Sequence, residues 1–192
     1  MRAARGATEP GRPTKEQLRA AASKKVPDLI APGLRVLFCG INPGLHSAAT
    51  GHHFAGPANQ MWPTLFRAGF TPRLFTAFES PALLEIGYGI TNLVPRASAA
   101  ADELTREELQ AGARALARKA RTFAPRFVAV LGLQAYRTAF ERRKAVVGLQ
   151  PEPLGPSKLW LLPNPSGLNA FHQPPVLKQM FGELYQAAHA EL

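Results

Sequence analysis

Four short apolar runs constrain the fold of this chain most strongly. They occupy residues 36–39, 90–94, 127–131 and 159–162. A run of this length that lacks regular polar alternation is typical of a β-strand that is covered on both faces. Segments with helical spacing separate the runs, so strands and helices alternate along the chain. This alternation predicts an α/β fold with a mostly parallel sheet and helices on both sides.

The helical segments between the runs carry recognisable start signals. Thr105 and Glu108 form a capping-box pattern, and apolar residues then recur on one face through residues 109–123. A last helix is predicted from about Pro175. In an earlier helix, Pro63 must lie in the first turn or at a kink, because proline removes a backbone donor. In such sheets ligands bind at the carboxyl ends of the strands, so the residues that follow each run are the candidates for chemistry.

Length and composition limit the class of protein. The chain has 192 residues, 46% of them apolar, which suffices for one domain that folds without disulfides or a structural metal. Cys39 is the only cysteine, so no intrachain disulfide can form and a reducing compartment is expected. No apolar run approaches the roughly 20 residues of a membrane span. We therefore expect a monomeric cytoplasmic protein without membrane contact.

The charge distribution points to an anionic partner. The formal net charge is +10, which favours nucleic acid as that partner, and half of it lies within residues 1–25. These residues lack an apolar period, so we expect a flexible basic arm ahead of one domain at 26–192. The arm could be a solubilising tail or could bind DNA without sequence preference. No carboxylate that would repel phosphate occurs between Asp28 and Glu79.

Two asparagine-proline loops follow predicted strands. The first is Gly40–Gly44 (Gly-Ile-Asn-Pro-Gly), and the second is Pro163–Asn169 (Pro-Asn-Pro-Ser-Gly-Leu-Asn). Proline restricts the asparagine before it to an extended conformation, and glycine permits turns that other residues cannot make. Each loop is therefore expected to present a side-chain amide and backbone N–H groups on a rigid support. One such loop alone is weak evidence, because Asn-Pro turns are common.

These two loops, with Gly51–Asn59 between them, resemble the mismatch-specific uracil/thymine-DNA glycosylases of the uracil-DNA glycosylase superfamily. The resemblance extends from about Leu29 to about Ala188. It implies a three-layer α/β/α sandwich and hydrolytic removal of uracil, and of related lesions, opposite guanine. It also implies double-stranded DNA as the partner, in base excision repair, so the protein would associate with the nucleoid. Because a glycosidic bond inside a duplex is inaccessible, the nucleotide must be flipped into a pocket.

The resemblance implies a role for each motif residue. Asn42 would orient the attacking water and Phe54, which on the residues alone could also be a core aromatic, would stack on the flipped base. The chemistry further requires groups that bind the edge of the base, and backbone groups around Ile41 are the candidates. Three further residues are expected beside the base, namely Ser47, His53 and Asn164. The segment expected to enter the helix and meet the opposing guanine comprises Ser166, Gly167, Leu168 and Asn169. Leu168 would fill the space that the flipped base leaves.

The residue types also limit the mechanism. A carboxamide can orient water but cannot take its proton near pH 7, so we expect slow hydrolysis driven by stabilisation of the leaving base and the cationic sugar. No lysine occurs from residue 26 to 118, which predicts a monofunctional enzyme that forms no Schiff base. The histidines at 46, 52 and 53 lack neighbouring carboxylates or paired cysteines, so no metal or other cofactor is expected.

Departures from the family pattern affect the expected specificity. Ser47 occupies a position near the base that resembles a small apolar site in thymine-active relatives. A hydroxyl there would crowd or polarise the space for the C5-methyl of thymine, so we predict that uracil is preferred over thymine. In contrast, the pair His52 and His53 resembles the thymine-active branch of the family more than its bacterial uracil branch. Asn169 and Ala170 replace the Ser-Arg pair that commonly follows the wedge leucine in bacterial relatives, so the contacts with the opposing guanine are expected to differ from theirs. The alternative hypothesis is a non-catalytic α/β module that binds damaged or flipped bases.

Overall fold

The computed structural model describes residues 12–166 and 173–190. Five strands form one sheet in the order β2-β1-β3-β5-β4. Four of them are parallel, and β4 pairs antiparallel to β5 at one edge. The strands are β1 Val36–Gly40, β2 Tyr88–Asn92, β3 Phe127–Leu131, β4 Gly148–Leu149 and β5 Lys158–Leu162. The mostly parallel α/β fold is therefore confirmed.

Seven α-helices lie within the described residues, together with two short 3₁₀ helices at Ala77–Glu79 and Ala101–Glu103. The α-helices are α1 Lys15–Ala20, α2 Leu45–Thr50, α3 Met61–Arg67, α4 Ala82–Glu85, α5 Arg106–Phe123, α6 Leu133–Ala139 and α7 Pro174–His189. The capping box of Thr105 and Glu108 starts α5 as predicted. Pro63 lies in the first turn of α3, where its missing N–H costs little.

Two apolar cores cover the two faces of the sheet, because successive strand side chains point to opposite sides. On one face Phe38 packs in a cluster with residues of α3 and α7. On the other face Leu37 and Cys39 pack with residues of α5 and α6. All four parallel strands are buried along most of their length, which explains why they lack polar alternation. The result is the three-layer arrangement that the resemblance implied.

Two strand predictions need correction. The second strand covers Tyr88–Asn92 rather than 90–94, because Tyr88 and Gly89 pair with β1 while Leu93 and Val94 continue past the strand end. The short strand β4 was not predicted. It contains two residues, so it has no apolar periodicity to detect.

The segment predicted as a basic arm contains a helix in the part that the structure describes. Thr14 and Gln17 form a capping box that starts α1, and Ala21 after the helix is fully buried. The backbone of Ser23 and Lys24 then bonds to Ala97. The signal in the sequence was the capping box, which is short and carries no apolar stripe behind it. Residues 1–11 of the arm lie outside the described residues.

Candidate active site

Asn42 follows β1 and is held by the segment that follows β2. Its Nδ2 donates to the carbonyl oxygen of Arg96 (3.2 Å) and to Ser98 Oγ (2.7 Å), with the Pro43 carbonyl oxygen at 3.3 Å. Ser98 donates its own hydroxyl hydrogen to the carbonyl oxygen of Ala100 (2.6 Å), so it accepts from Asn42. No described residue donates to Asn42 Oδ1. The amide therefore turns its nitrogen to the protein and leaves its oxygen as an acceptor.

A salt bridge fixes the segment that holds Asn42. The guanidinium of Arg96 binds Glu108 on α5 through both carboxylate oxygens (2.5 and 2.9 Å) and also donates to the Glu103 carbonyl oxygen. The Arg96 hydrogen bonds, together with the N–H of Thr105, lower the pKa of Glu108 to about 2. The carboxylate is thus ionised at neutral pH. The position of Asn42 therefore depends on α5 as well as on its own loop.

Phe54 adopts a left-handed backbone conformation, with φ of 53°. This region costs a residue with a side chain about 1–2 kcal/mol. Ser47, in α2, stabilises the turn because its hydroxyl accepts a hydrogen bond from the N–H of Ala55 (3.1 Å). Ser47 is 5% exposed, so this bond is shielded from water. The predicted base-contacting serine therefore holds the predicted stacking residue in place.

The ring of Phe54 packs on Gly40, the last residue of β1. A Cβ atom at Gly40 would lie 3.3 Å from this ring and 2.5 Å from Oδ1 of Asn92. Asn92 ends β2 and pairs with Gly40 across the sheet. Glycine is required here because two side chains approach the same Cα. Sequence reasoning missed Asn92, although its place at the end of a parallel strand was a usable signal.

His53 is buried and bonded on both ring nitrogens. Its Nε2–H donates to the carbonyl oxygen of Pro27 (2.8 Å), and its Nδ1 faces Nδ2 of Asn92 at 3.4 Å. Since a carbonyl oxygen can only accept, the hydrogen lies on Nε2 and Nδ1 accepts from Asn92. Burial lowers the pKa of His53, opposed by the Pro27 hydrogen bond, so the ring is neutral. His53 thus contacts Asn92 through Nδ1 and the Pro27 carbonyl oxygen through Nε2.

A cavity of about 270 Å³ adjoins Phe54. Its walls include Leu18, Gly44, Ser47, Phe54, Asn59 and Ala99. Two predicted site residues, Ser47 and Phe54, thus share one cavity. Asn42 does not line it, but follows Gly40, on which Phe54 packs, by two residues. The volume is near the lower end of the range for small-molecule sites, about 300 Å³, and is sufficient to hold a nucleobase.

The side chain of Ile41 points away from this cavity. Its Cδ1 atom lies near Gly132, and the side chain lines a separate groove with Leu109 of α5 and Ala135 of α6. The Ile41 carbonyl oxygen accepts from the N–H of Val94 (2.9 Å). Any contact of Ile41 with a base would therefore come from the backbone, as the sequence predicted.

The second loop meets the segment before α3. The N–H of Gln60 donates to the carbonyl oxygen of Pro165 (2.8 Å), and Oδ1 of Asn164 accepts from the N–H of Ser166 (3.2 Å). The loop therefore approaches the cavity at Asn59, the neighbour of Gln60. Three predicted DNA-contacting residues lie outside the described residues, namely Gly167, Leu168 and Asn169.

Other features of the described chain are separate from this site. A larger groove of about 480 Å³ lies near β4 and contains none of the predicted site residues. Residues 12–166 and 173–190 contain no group of three or more His, Cys, Asp or Glu side chains that could hold a metal ion. None of their helices is long and apolar enough to cross a membrane.

A comparison with protein families assigns the chain. The family model of the Uracil DNA glycosylase superfamily matches residues 27–188. The chain belongs to this superfamily. Members of the Uracil DNA glycosylase superfamily are in general hydrolytic DNA glycosylases, so DNA is the partner and base excision repair the process. The match begins after α1, so this helix lies outside the part of the chain that the superfamily accounts for.

Proposed function

We propose that this protein is a monofunctional DNA glycosylase that removes uracil mispaired with guanine. The observation that carries the proposal is the fixed amide of Asn42, whose nitrogen binds Arg96 and Ser98 while its oxygen stays available. It lies two residues beyond Gly40, where the Phe54 ring packs. The Asn42 oxygen, which can accept a hydrogen bond from water, and the Phe54 ring, which can stack on a base, are thus both located at the carboxyl end of β1.

Asn42 would orient the attacking water. Its Oδ1 accepts one O–H of the water, which directs an oxygen lone pair toward C1′ of the flipped nucleotide. The electron pair of the C1′–N1 bond leaves with the base, and the water oxygen bonds to C1′ and then loses a proton to solvent. The uracil anion then takes up a proton from solvent, so the products are free uracil and an abasic site. Since an amide does not take the proton, bond cleavage runs ahead of water attack.

The base would bind between Phe54 and polar groups at the ends of β1 and β2. Stacking on Phe54 contributes about 1–3 kcal/mol. Asn92 donates one Nδ2 hydrogen to His53, so its Oδ1 is directed toward Gly40, where it can accept from the uracil N3–H. Hydrogen bonds to the uracil oxygens stabilise the leaving anion, and backbone N–H groups near Ile41 are the candidates for them. Ser47 favours uracil over thymine by limiting space near C5.

The described segments that follow β1 and β2, residues 41–60 and 93–105, contain no lysine that could supply an amine for lyase chemistry. Residues 26–118 contain no lysine. The next lysine, Lys119, binds Asp28 at 2.5 Å and Thr91 Oγ1 at 2.7 Å. An ammonium held by a carboxylate is a poor nucleophile, because it must lose a proton and this partner before it can attack. We therefore propose hydrolysis alone, followed by release of the abasic DNA.

Duplex binding would use the second loop. Leu168 is proposed to fill the space left by the flipped base, with Ser166, Gly167 and Asn169 beside the opposing guanine. The net charge of +10 favours the duplex electrostatically. Contacts from this loop to guanine would make a G:U pair a better substrate than A:U.

One assay tests the proposal. Excision is measured by alkaline cleavage of four substrates that contain G:U, A:U, G:T or single-stranded uracil, with Asn42→Ala as the control. We expect G:U to be cleaved fastest and the Asn42→Ala variant to be inactive on all four. Equal rates on G:U and A:U would refute the preference for guanine. Tight binding of the G:U duplex without cleavage would instead support a non-catalytic base-binding module and refute the enzyme.

A further inference from the structure

Helix α1 docks on the catalytic domain although it lies outside the superfamily match. Ala21, directly after α1, is fully buried in a small cluster with Ala48 of α2 and Ala97. The N–H of Ser23 donates to the Ala97 carbonyl oxygen (3.1 Å), and the Ala97 N–H donates to the Lys24 carbonyl oxygen (2.8 Å). An apolar anchor and two backbone hydrogen bonds therefore fix the segment on the domain.

The docked helix forms part of the wall of the cavity beside Phe54. Leu18 lines this cavity together with Ser47 and Phe54, and it is only half-buried. No residue within α1 itself belongs to the buried core. Leu18 therefore contributes its apolar surface mainly to the cavity, where a ligand would cover it.

The same helix carries cations without local partners. Lys15 lies one turn before Leu18 and on the same side of the helix, since residues three apart are neighbours. Arg19 follows Leu18 directly, and both cations are exposed. No carboxylate among the described residues forms an ion pair with either of them, whereas five other cations of the described chain are paired. These two charges are free to bind phosphate.

We propose that α1, which precedes the superfamily match, is a wall of the substrate site. Leu18 contacts the nucleotide that stacks on Phe54, and Lys15 and Arg19 bind the phosphates beside that nucleotide. The inference rests on the proposed function, because it takes the flipped nucleotide as the occupant of the cavity. It adds a second apolar surface, besides the Phe54 ring, to the polar groups at the ends of β1 and β2.

The test distinguishes the effect of the Leu18 side chain on the reaction from the effect of the two cations on DNA binding. Leu18→Ala is compared with Leu18→Met, and the double variant Lys15→Ala/Arg19→Ala with Arg114→Ala/Arg118→Ala, which removes equal charge from the exposed face of α5. Single-turnover excision and binding, by fluorescence anisotropy, use a 30-base-pair duplex with one G:U pair. Thermal unfolding checks that each variant is folded, since none of these side chains belongs to the Ala21 anchor.

We expect Leu18→Ala to lower excision efficiency about tenfold, which corresponds to roughly half of the free energy of burying a leucine side chain. Leu18→Met should retain most of the wild-type efficiency, because methionine has a similar apolar surface. The Lys15→Ala/Arg19→Ala variant should reduce the slope of log affinity against log salt by about 1.8, for two lost phosphate contacts. The α5 variant should leave this slope nearly unchanged.

Unchanged excision by Leu18→Ala would refute the proposed contact of Leu18 with the nucleotide. Equal salt-dependence slopes for the two double variants would refute the proposed phosphate contacts of Lys15 and Arg19. A wild-type protein that excises no base refutes the proposed function instead. In that case duplex binding by the same variants still tests α1, so the two failures are distinguishable.

Discussion

The side-chain nitrogen of Asn42 donates a 2.7 Å hydrogen bond to the hydroxyl of Ser98, 56 residues further along the chain. This bond, with the one to the Arg96 carbonyl oxygen, holds the side-chain nitrogen of Asn42 against the protein and leaves Oδ1 without a donor among the described residues. Ser98 is therefore a positioning residue for Asn42. In the proposed mechanism Asn42 orients the water and Ser98 orients the amide, so substitutions of the two residues distinguish these roles.

We predict that Asn42→Ala lowers the single-turnover excision rate at least 100-fold, because the water loses its acceptor. Ser98→Ala should lower the rate less, by about tenfold, since the Arg96 carbonyl oxygen still binds Nδ2. Both rates are measured on the G:U duplex, with duplex affinity as a second readout. Equal losses for the two variants would contradict the assigned roles.

The left-handed backbone of Phe54 gives a prediction in which activity and stability diverge. Phe54→Ala and Phe54→Gly should both lose about 10- to 100-fold in excision, because neither can stack on a base. Glycine adopts positive φ readily, so Phe54→Gly should be more stable than Phe54→Ala by about 0.5–1 kcal/mol despite its greater unfolded-state entropy. Urea unfolding measures the difference. A more stable alanine variant would argue against the observed φ.

A methyl group at Gly40 should disrupt the site. The added Cβ in Gly40→Ala would lie 2.5 Å from Asn92 Oδ1 and 3.3 Å from the Phe54 ring, so both must move. We expect at least a 10-fold loss of excision. The matched control is Gly182→Ala in α7, where a Cβ meets nothing within 4 Å. Excision at the wild-type rate by Gly40→Ala would show that neither side chain is needed in its present position.

The buried, neutral His53 predicts a specific dependence of stability on pH. Burial lowers its folded-state pKa, so below its unfolded value of about 6.5 the unfolded chain binds more protons than the folded one. The stability that the buried, neutral His53 contributes is fully present above pH 6.5 and is lost as the pH falls toward the folded-state pKa. We expect His53→Gln to weaken the loss of stability between pH 7.5 and 5. Urea unfolding across this range measures it, and His46→Gln is the control.

Substitution of Lys119 distinguishes a structural role of this lysine from a role in the reaction. It binds Asp28 and Thr91, so Lys119→Met should lower the free energy of unfolding by about 1–2 kcal/mol, less than for a fully buried pair because both side chains are over a quarter exposed. Asp28→Asn/Lys119→Met should recover part of this loss. Excision by Lys119→Met should persist, and borohydride should trap no protein–DNA adduct. A trapped adduct that disappears in Lys119→Met would contradict hydrolysis without a Schiff base.

Much of the fold could be predicted because its signals are local. The buried strands are marked by apolar runs, α5 by its capping box, and the two loops by Asn-Pro and nearby glycine. Asn92 and α1 were missed for different reasons. Asn92 stands within an apolar run and looks like a strand residue, whereas α1 is six residues long and is stabilised by the burial of Ala21 rather than by an apolar stripe.

The sequence by itself determined the parallel sheet and the positions of Asn42 and Phe54 after β1, because neighbouring residues set strand burial and turn geometry. Only the tertiary structure decided that Phe54 covers Gly40, that His53 binds Asn92, and that Leu18 reaches the cavity. These contacts join residues far apart in the chain. Their geometry follows from how helices pack on the sheet, and no local pattern encodes that packing.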